Sequence, residues 1–203
     1  IKDQQDFSVI LLDLDWFKEI NDQYGHEVGD RVLMEVAQTL MQSLTDQTII
    51  SRYGGEEFLI VLPDTKHDSA MTIAEQIRLS IANHAITVED GITFNVTTSL
   101  GLYTLTHEER HCIKQAQEIL AQREASNTAI ETKKAKSRAI KFMGSQINHS
   151  VSNDQPPHDI CQRLICAADQ ALYEAKGRGR NQVVSANEMY ASREGVATSL
   201  YGT

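Results

Sequence analysis

The stretch IISRYGGEEFLIVL, residues 49–62, holds two short strand-like runs on either side of two adjacent glycines. The runs IISRY (49–53) and EFLIVL (57–62) are rich in β-branched and apolar residues, and Gly54-Gly55 is typical of a tight hairpin. Glycine tolerates positive φ and lets a ligand approach the backbone closely. Glu56 and Glu57 repel each other at this bend unless a proton or a cation intervenes. Alone, the stretch predicts a hairpin whose acidic tip is either solvated or part of a site.

The run FSVILLDL, residues 7–14, precedes the hairpin and is typical of a central strand covered on both faces. Asp13 and Asp15 close this run and project from the same face, because side chains alternate along a strand. A carboxylate at the end of a buried strand needs a partner, and a hard divalent cation such as Mg²⁺ suits it. We therefore predict a metal-binding role for Asp13, and for Asp15 an N-cap role in the helix that follows.

The rest of the chain also shows hydrophobic patterns. Amphipathic spacing predicts helices, and runs of β-branched residues predict strands. The predicted elements are a helix before Gly25, helices Glu27–Leu44, Ser69–Ala82 and Ile165–Lys176, a strand over residues 92–105 and a strand Gln182–Val184. This order of elements predicts the α+β class.

Residues 107–163 interrupt the pattern. The part from 108 to 142 is rich in Ala, Glu, Lys and Gln and has high helix propensity, whereas the polar part after it contains Pro156 and Pro157. We interpret residues 1–203 as a single domain with an inserted arm at 107–163, helical and then loop-like. Residues 186–203 form a C-terminal tail in this interpretation.

The composition excludes several classes of protein. The chain has 203 residues, of which 41% are hydrophobic and 23% charged, as in ordinary globular proteins. No apolar run approaches the roughly 20 residues that span a bilayer, so we expect no membrane span in this chain. A net charge of −9 disfavours binding to a nucleic-acid polymer. Three cysteines without a CxxC motif favour a reducing, cytoplasmic setting, and the start at Ile1 suggests a piece of a longer protein.

Lys176, Arg178 and Arg180 form a basic cluster at the end of the last predicted helix and in the loop after it. Cations at a helix C-terminus complement the helix dipole, so a purely structural role accounts for them. In an acidic chain the same cluster is also a suitable place for a polyphosphate. The residues alone leave both interpretations open.

In combination, order and spacing, the acidic strand end, the glycine turn and the basic cluster resemble the GGDEF family, the diguanylate cyclases. The signature turn stands here as Gly54-Gly55-Glu56-Glu57-Phe58, and the resemblance covers Phe7–Tyr103 and Ile165–Val184 but not the insertion. It implies the palm-like nucleotide-cyclase fold, with a central, mainly antiparallel sheet of about five strands flanked by helices.

The resemblance also implies an activity. Each domain would hold one GTP, and two domains would meet as a homodimer to form cyclic di-GMP with release of pyrophosphate. Asp13 and the backbone carbonyl of Leu14 would bind Mg²⁺, or Mn²⁺ in its place, together with a signature glutamate. Glu56 would be the general base for the ribose 3′-hydroxyl, and either Glu56 or Glu57 would contact the metal.

The resemblance assigns the nucleotide contacts as well. Asn21 and Asp30 match the guanine-reading positions, where a carboxylate accepts from guanine N1–H and N2–H₂ and so favours GTP over ATP. The other implied contacts are Phe17 in the pocket wall, His26 beside the nucleotide, Lys18, Lys176 and Arg180 at the phosphates, and Gly54 and Gly55 along the triphosphate.

The chain departs from the family pattern at the Arg-x-x-Asp inhibitory site that many members carry ahead of the signature turn. Thr45 and Thr48 occupy those positions, so we expect no product inhibition through that site. The resemblance further implies an upstream sensory or regulatory domain, and leaves open whether the full-length protein is tethered to a membrane. A catalytically silent GTP-binding or scaffold domain of the same fold is the alternative function.

Overall fold

Strand β1 (Phe7–Leu14) lies at the centre of the main sheet in the computed structural model of this chain. The structure describes residues 6–88, 91–111, 113, 115 and 160–192. Within them, five strands follow the order β2-β3-β1-β6-β7, and only the β6–β7 pair is parallel. The other four strands are β2 (Ile49–Arg52), β3 (Glu57–Pro63), β6 (Thr98–Leu105) and β7 (Val183–Ser185). This mainly antiparallel sheet confirms the predicted fold class.

Helices cover both faces of the sheet, which explains the unbroken apolar run of β1. On one face, Ile10, Leu12 and Leu14 pack in one core cluster with the buried side chains of α2 (His26–Ser43) and α3 (His67–Asn83). On the other face, Val9 and Leu11 pack against the helix Ile160–Gly177, here called α4. Helix α1 (Phe17–Tyr24) joins β1 to α2 and ends at Gly25, whose φ of 87° marks the predicted helix end.

Helix α4 lies close on the centre of the sheet because of a glycine in β6. A Cβ at Gly101 would collide with the backbone of Ala168 and Leu172, so only glycine allows this approach. Ile160, Leu164, Ala168 and Leu172 recur every fourth residue and face the sheet. Since α4 continues to Gly177, this packing fixes where Lys176 lies relative to β1.

The predicted strand over residues 92–105 is wrong in its first part. The structure breaks it into β5 (Thr93–Asn95) and β6, separated by Val96 and Thr97. Strand β5 pairs with β4 (Ala85–Thr87) in a separate two-stranded sheet. At this break the carbonyl of Thr97 accepts a hydrogen bond from the backbone N–H of Asp15 at 2.9 Å, which extends the pairing of β1 with β6 by one residue.

Two boundaries near the insertion also differ from the predictions. Residues 160–163 are the first turn of α4 and not part of the inserted arm, because Ile160 and Leu164 bury apolar surface against the sheet. In the predicted tail, residues 186–192 are helical, and Met189 and Tyr190 pack against the alanines of α4. Residues 107–111 are helical, whereas residues 116–159 of the predicted arm lie outside the described residues.

Among the residues that the structure describes, we find no helix with the length and apolar character needed to cross a bilayer.

Candidate active site

The end of β1 and the glycine turn lie side by side. Asp13 is paired in register with Glu57 of β3 on one side and with Ser99 of β6 on the other. The backbone N–H of Leu14 donates to the carbonyl of Glu56 at 3.3 Å. The antiparallel pairing of β1 with β3 therefore brings together two acidic segments that are distant in the chain.

A cavity of about 180 Å³ opens at this place. Seven of the predicted site residues line it, namely Asp13, Leu14, Phe17, Lys18, Glu56, Lys176 and Arg180. Carboxylates from β1 and the turn thus share one space with cations from the end of α4. Such an arrangement suits a ligand that carries both a metal ion and phosphates.

The charges in this cavity are coupled to one another. Lys176 Nζ lies 2.8 Å from Asp13 Oδ2, and the side chain of Asp13 is only 8% exposed. Burial raises the pKa of Asp13, although the hydrogen bond and the positive charge of Lys176 oppose this shift. Partial burial and then the negative charge of Asp13 raise the pKa of Glu56. A carboxylate whose ionised form is disfavoured by a second carboxylate in the same cavity is a suitable place for a cation.

The donor set fits Mg²⁺. Asp13 and Glu56 carry carboxylates and line the cavity, as does Leu14, whose side chain packs in the core. In the described part of the chain, no group of three or more His, Cys, Asp or Glu side chains is placed to hold a metal. Two carboxylates and a carbonyl match Mg²⁺, which keeps several waters and is bound through few protein ligands and through substrate phosphates.

Glu57 and the two glycines lie outside the cavity lining. The Glu57 carboxylate packs against Gly54, where any Cβ would collide with it. The carbonyl of Gly55 accepts two hydrogen bonds from the Arg52 guanidinium, from Nε at 3.1 Å and from Nη2 at 2.7 Å. Neither glycine has a positive φ, so this turn does not use the left-handed backbone that glycine tolerates. At Gly54 the absent side chain makes room for Glu57.

Asn21, His26 and Asp30, predicted to contact the nucleotide, lie in α1 and at the start of α2 and are not among the residues that line the cavity. The carboxamide oxygen of Asn21 packs against Gly29, where a Cβ would collide with it. His26 and Asp30 are exposed and lie one turn apart at the start of α2.

The N-cap prediction for Asp15 is wrong. Residue Trp16 holds the N-cap position of α1, with φ 59° and no side-chain capping bond. Asp15 is buried instead, and accepts hydrogen bonds from Thr97, Ser99 and the backbone of Asn181. Its partners come from a distant strand and a distant loop, so no local spacing signal could have found them.

Comparisons with known proteins agree with this geometry. The model of the family described as "Diguanylate cyclase, GGDEF domain" matches residues 1–129. This chain belongs to the GGDEF family. Family membership confirms the resemblance that the sequence motifs carried.

Relatives of this GGDEF chain include larger proteins. Diguanylate cyclase A of Treponema denticola is 32% identical over 180 residues, which cover 89% of this chain and 35% of that protein. The response regulator PleD of Caulobacter vibrioides is 40% identical over 123 residues, which cover 59% of this chain and 27% of that protein. The chain therefore spans about a third or less of the length of these curated relatives.

A solved structure matches the GGDEF fold over most of both chains. The active GGEEF domain of a diguanylate cyclase from Vibrio cholerae is 30% identical, with a TM-score of 0.58. The match covers 89% of this chain and 83% of that one.

Proposed function

We propose that this GGDEF domain is a diguanylate cyclase that condenses two molecules of GTP into cyclic di-GMP and releases pyrophosphate. The observation that carries the proposal is the single cavity that Asp13, Glu56, Lys176 and Arg180 share beside the signature turn. The relatives named diguanylate cyclases support the same activity.

The residues of the cavity suit the triphosphate of a nucleotide and the metal ion bound to it. Lys176 and Arg180 carry positive charge at the end of α4 and in the loop after it, where they would bind phosphate oxygens. Asp13, Glu56 and the carbonyl of Leu14 would hold Mg²⁺. When bound, the ion would neutralise charge on the β- and γ-phosphates and on the departing pyrophosphate.

The base would then lie on the signature turn. Glu56 lines the cavity, and its carboxylate would take the proton from a ribose 3′-hydroxyl as that oxygen attacks the α-phosphate of the second GTP. Because each domain would hold one GTP, the reaction requires two domains facing each other as a homodimer. We further propose that a regulatory domain controls this pairing in the full-length protein, and that the reaction takes place in the cytoplasm.

A catalytically silent GTP-binding domain is the second candidate. It is favoured by the position of the Glu57 carboxylate, which packs against Gly54 and does not line the cavity. Such a domain would bind GTP with Mg²⁺ and act on a partner without forming a cyclic product.

Product analysis separates the two candidates. Purified protein is incubated with GTP and Mg²⁺, and the products are resolved by chromatography. We expect the wild-type protein to form cyclic di-GMP and pyrophosphate. The Glu56→Gln variant should form them about 100-fold more slowly. Glu188→Gln, an exposed glutamate on residues 186–192, serves as the matched control and should keep the wild-type rate. GTP binding without a cyclic product would favour the silent domain.

A further inference from the structure

The loop after α4 carries Arg180 in an unusual backbone conformation. Gly179, Arg180 and Asn181 all have positive φ, at 114°, 67° and 45° respectively. Glycine adopts this region freely and asparagine tolerates it, whereas arginine is disfavoured there. A disfavoured conformation persists only where surrounding contacts determine it. The contacts that hold this loop are therefore informative about Arg180.

Asp15 fixes the backbone of the loop to the end of β1. Its Oδ2 accepts from the backbone N–H of Asn181 at 3.0 Å and from Thr97 Oγ1 at 2.8 Å. Its Oδ1 accepts from Ser99 Oγ at 2.7 Å. Asp15 is only 3% exposed, so these bonds to a carboxylate are protected from water. The carboxylate is held by the start of β6 and in turn holds the residue that follows Arg180.

A second contact reaches the loop from α3. Arg78 Nη1 donates to Asn181 Oδ1 at 2.7 Å, and the same guanidinium is held by both carboxylate oxygens of Glu75. Asn181 is thus fixed through its backbone by Asp15 and through its side chain by Arg78. The position of Arg180 follows from the anchoring of its neighbour.

Trp16 holds the charged end of Arg180. The guanidinium carbon of Arg180 lies 3.9 Å from the centre of the Trp16 ring, a distance typical of cation–π stacking. Both residues line the candidate active site. Trp16 is 57% exposed and has a left-handed φ of 59°, so its ring is presented at the mouth of the cavity and not buried in the core.

We propose that Asp15 and Trp16 are positioning residues, which hold Arg180 at the mouth of the cavity before a triphosphate arrives. Asp15 acts on the backbone of the loop and Trp16 acts on the guanidinium. Preorganisation of this kind spares the ligand the entropic cost of ordering a flexible cation. The role in ligand binding rests on the proposed function, but the positioning itself can be measured without a nucleotide.

Trp16 is the single tryptophan of the chain, so tryptophan fluorescence reports on the surroundings of this ring. Acrylamide quenching is measured on the nucleotide-free protein. Arg180→Ala should raise the quenching constant by uncovering one face of the ring, and Asp15→Ala should raise it to a similar value. The double variant should match Arg180→Ala. Asp22→Ala, on the exposed side of α1, is the matched control and should leave quenching unchanged.

Wild-type quenching in Asp15→Ala, or additive effects in the double variant, would overturn the positioning role of Asp15. Should Asp15→Ala not fold, Asp15→Asn decides, because the amide keeps the shape but loses charge and one acceptor. The fluorescence of Asp15→Asn should be quenched more strongly than that of the wild type. An unchanged quenching constant would overturn the proposal.

GTP binding tests the consequence. Asp15→Ala and Trp16→Leu should each weaken Mg²⁺-dependent GTP binding about three- to tenfold. Neither should weaken it further in an Arg180→Ala background, and the effects should fall on KM more than on kcat. Trp16→Phe should recover part of the affinity, because it restores an aromatic face.

Equal binding by Trp16→Phe and Trp16→Leu, or additive losses, would contradict the role of Trp16. If the wild-type protein binds no GTP at all, the proposed function fails, while the quenching result still decides the positioning of Arg180.

Discussion

The ammonium group of Lys176 lies 2.8 Å from Oδ2 of Asp13 and joins the last turn of α4 to the end of β1. The side chain of Asp13 is 8% exposed and that of Lys176 is 35% exposed, so the pair is partly shielded from water. This contact connects the acidic and basic parts of the candidate active site.

Removal of Lys176 should destabilise the metal-free protein. Lys176→Met leaves the buried Asp13 carboxylate without its cation, and we expect a loss of about 1–2 kcal/mol in the free energy of unfolding. Urea unfolding measures it. Arg178→Met, which breaks an exposed pair with Glu174 on the same helix, is the control and should cost less than about 0.5 kcal/mol. Equal losses in both variants would contradict the special role of Lys176.

The raised pKa values of Asp13 and Glu56 predict the pH dependence of metal binding. Protons compete with Mg²⁺ for these oxygens, so apparent metal affinity should rise with pH and level off at a higher pH than at ordinary carboxylates. A raised pKa also means that the folded state binds more protons than the unfolded state. Without metal, stability should therefore fall as pH rises above the ordinary values of 3.8 and 4.5 through the raised ones.

Metal titrations from the ordinary carboxyl pKa values of 3.8 and 4.5 up to neutral pH check this dependence. Asp13→Asn should flatten the profile, and a wild-type affinity that does not change over this range would argue against these two ligands.

Substitution of Gly29 tests the guanine-reading role of Asn21. A methyl group in Gly29→Ala would displace the Asn21 carboxamide, which packs directly against the glycine. We expect the preference for GTP over ATP to fall about tenfold, within the range of one good polar pair. Competition binding measures it, with Gln38→Ala on the exposed face of α2 as control. An unchanged preference would remove Asn21 from base recognition.

The proposed homodimer predicts a concentration effect. Since one domain would hold half of the reactants, specific activity should rise with protein concentration until dimers dominate. Initial rates measured over a wide dilution series test this. Rates strictly proportional to enzyme concentration would contradict a reaction between two domains.

The Thr45–Thr48 turn predicts the response to product. The two hydroxyls lie 3.4 Å apart on an exposed turn, without the guanidinium and carboxylate of the inhibitory site. Cyclic di-GMP added at saturating GTP should leave the initial rate unchanged. Inhibition that persists at saturating GTP and disappears in a Thr45→Ala, Thr48→Ala variant would show that the turn binds product after all.

Local pattern was enough to predict most of the main sheet. The run Phe7–Leu14 and the hairpin around Gly54 have clear strand signals, because burial and β-branching are properties of neighbouring residues. Strand β4 lacked such a signal, since it is three residues long and only Ile86 is buried. The sequence places residues 160–163 in the insertion, because the polar, proline-containing segment before them hides the helix signal at the start of α4.

The candidate site was predictable where a motif carries it and unpredictable where distant residues meet. Asp13, Glu56 and Lys176 come from motifs, and the structure brings them to one cavity. The role of Asp15 depends on Ser99 and Asn181, which reach it only through the folded sheet and the loop after α4. A carboxylate before a helix looks like an N-cap in the sequence, and only tertiary contacts distinguish the two roles.

The central claim is that the cavity beside the signature turn binds a magnesium–GTP complex. A crystal structure with Mg²⁺ and a non-reactive GTP analogue tests it most directly. We predict metal density between Asp13 and Glu56, with the phosphates against Lys176 and Arg180. A triphosphate bound elsewhere, with Asp13 still paired only to Lys176, would contradict the account.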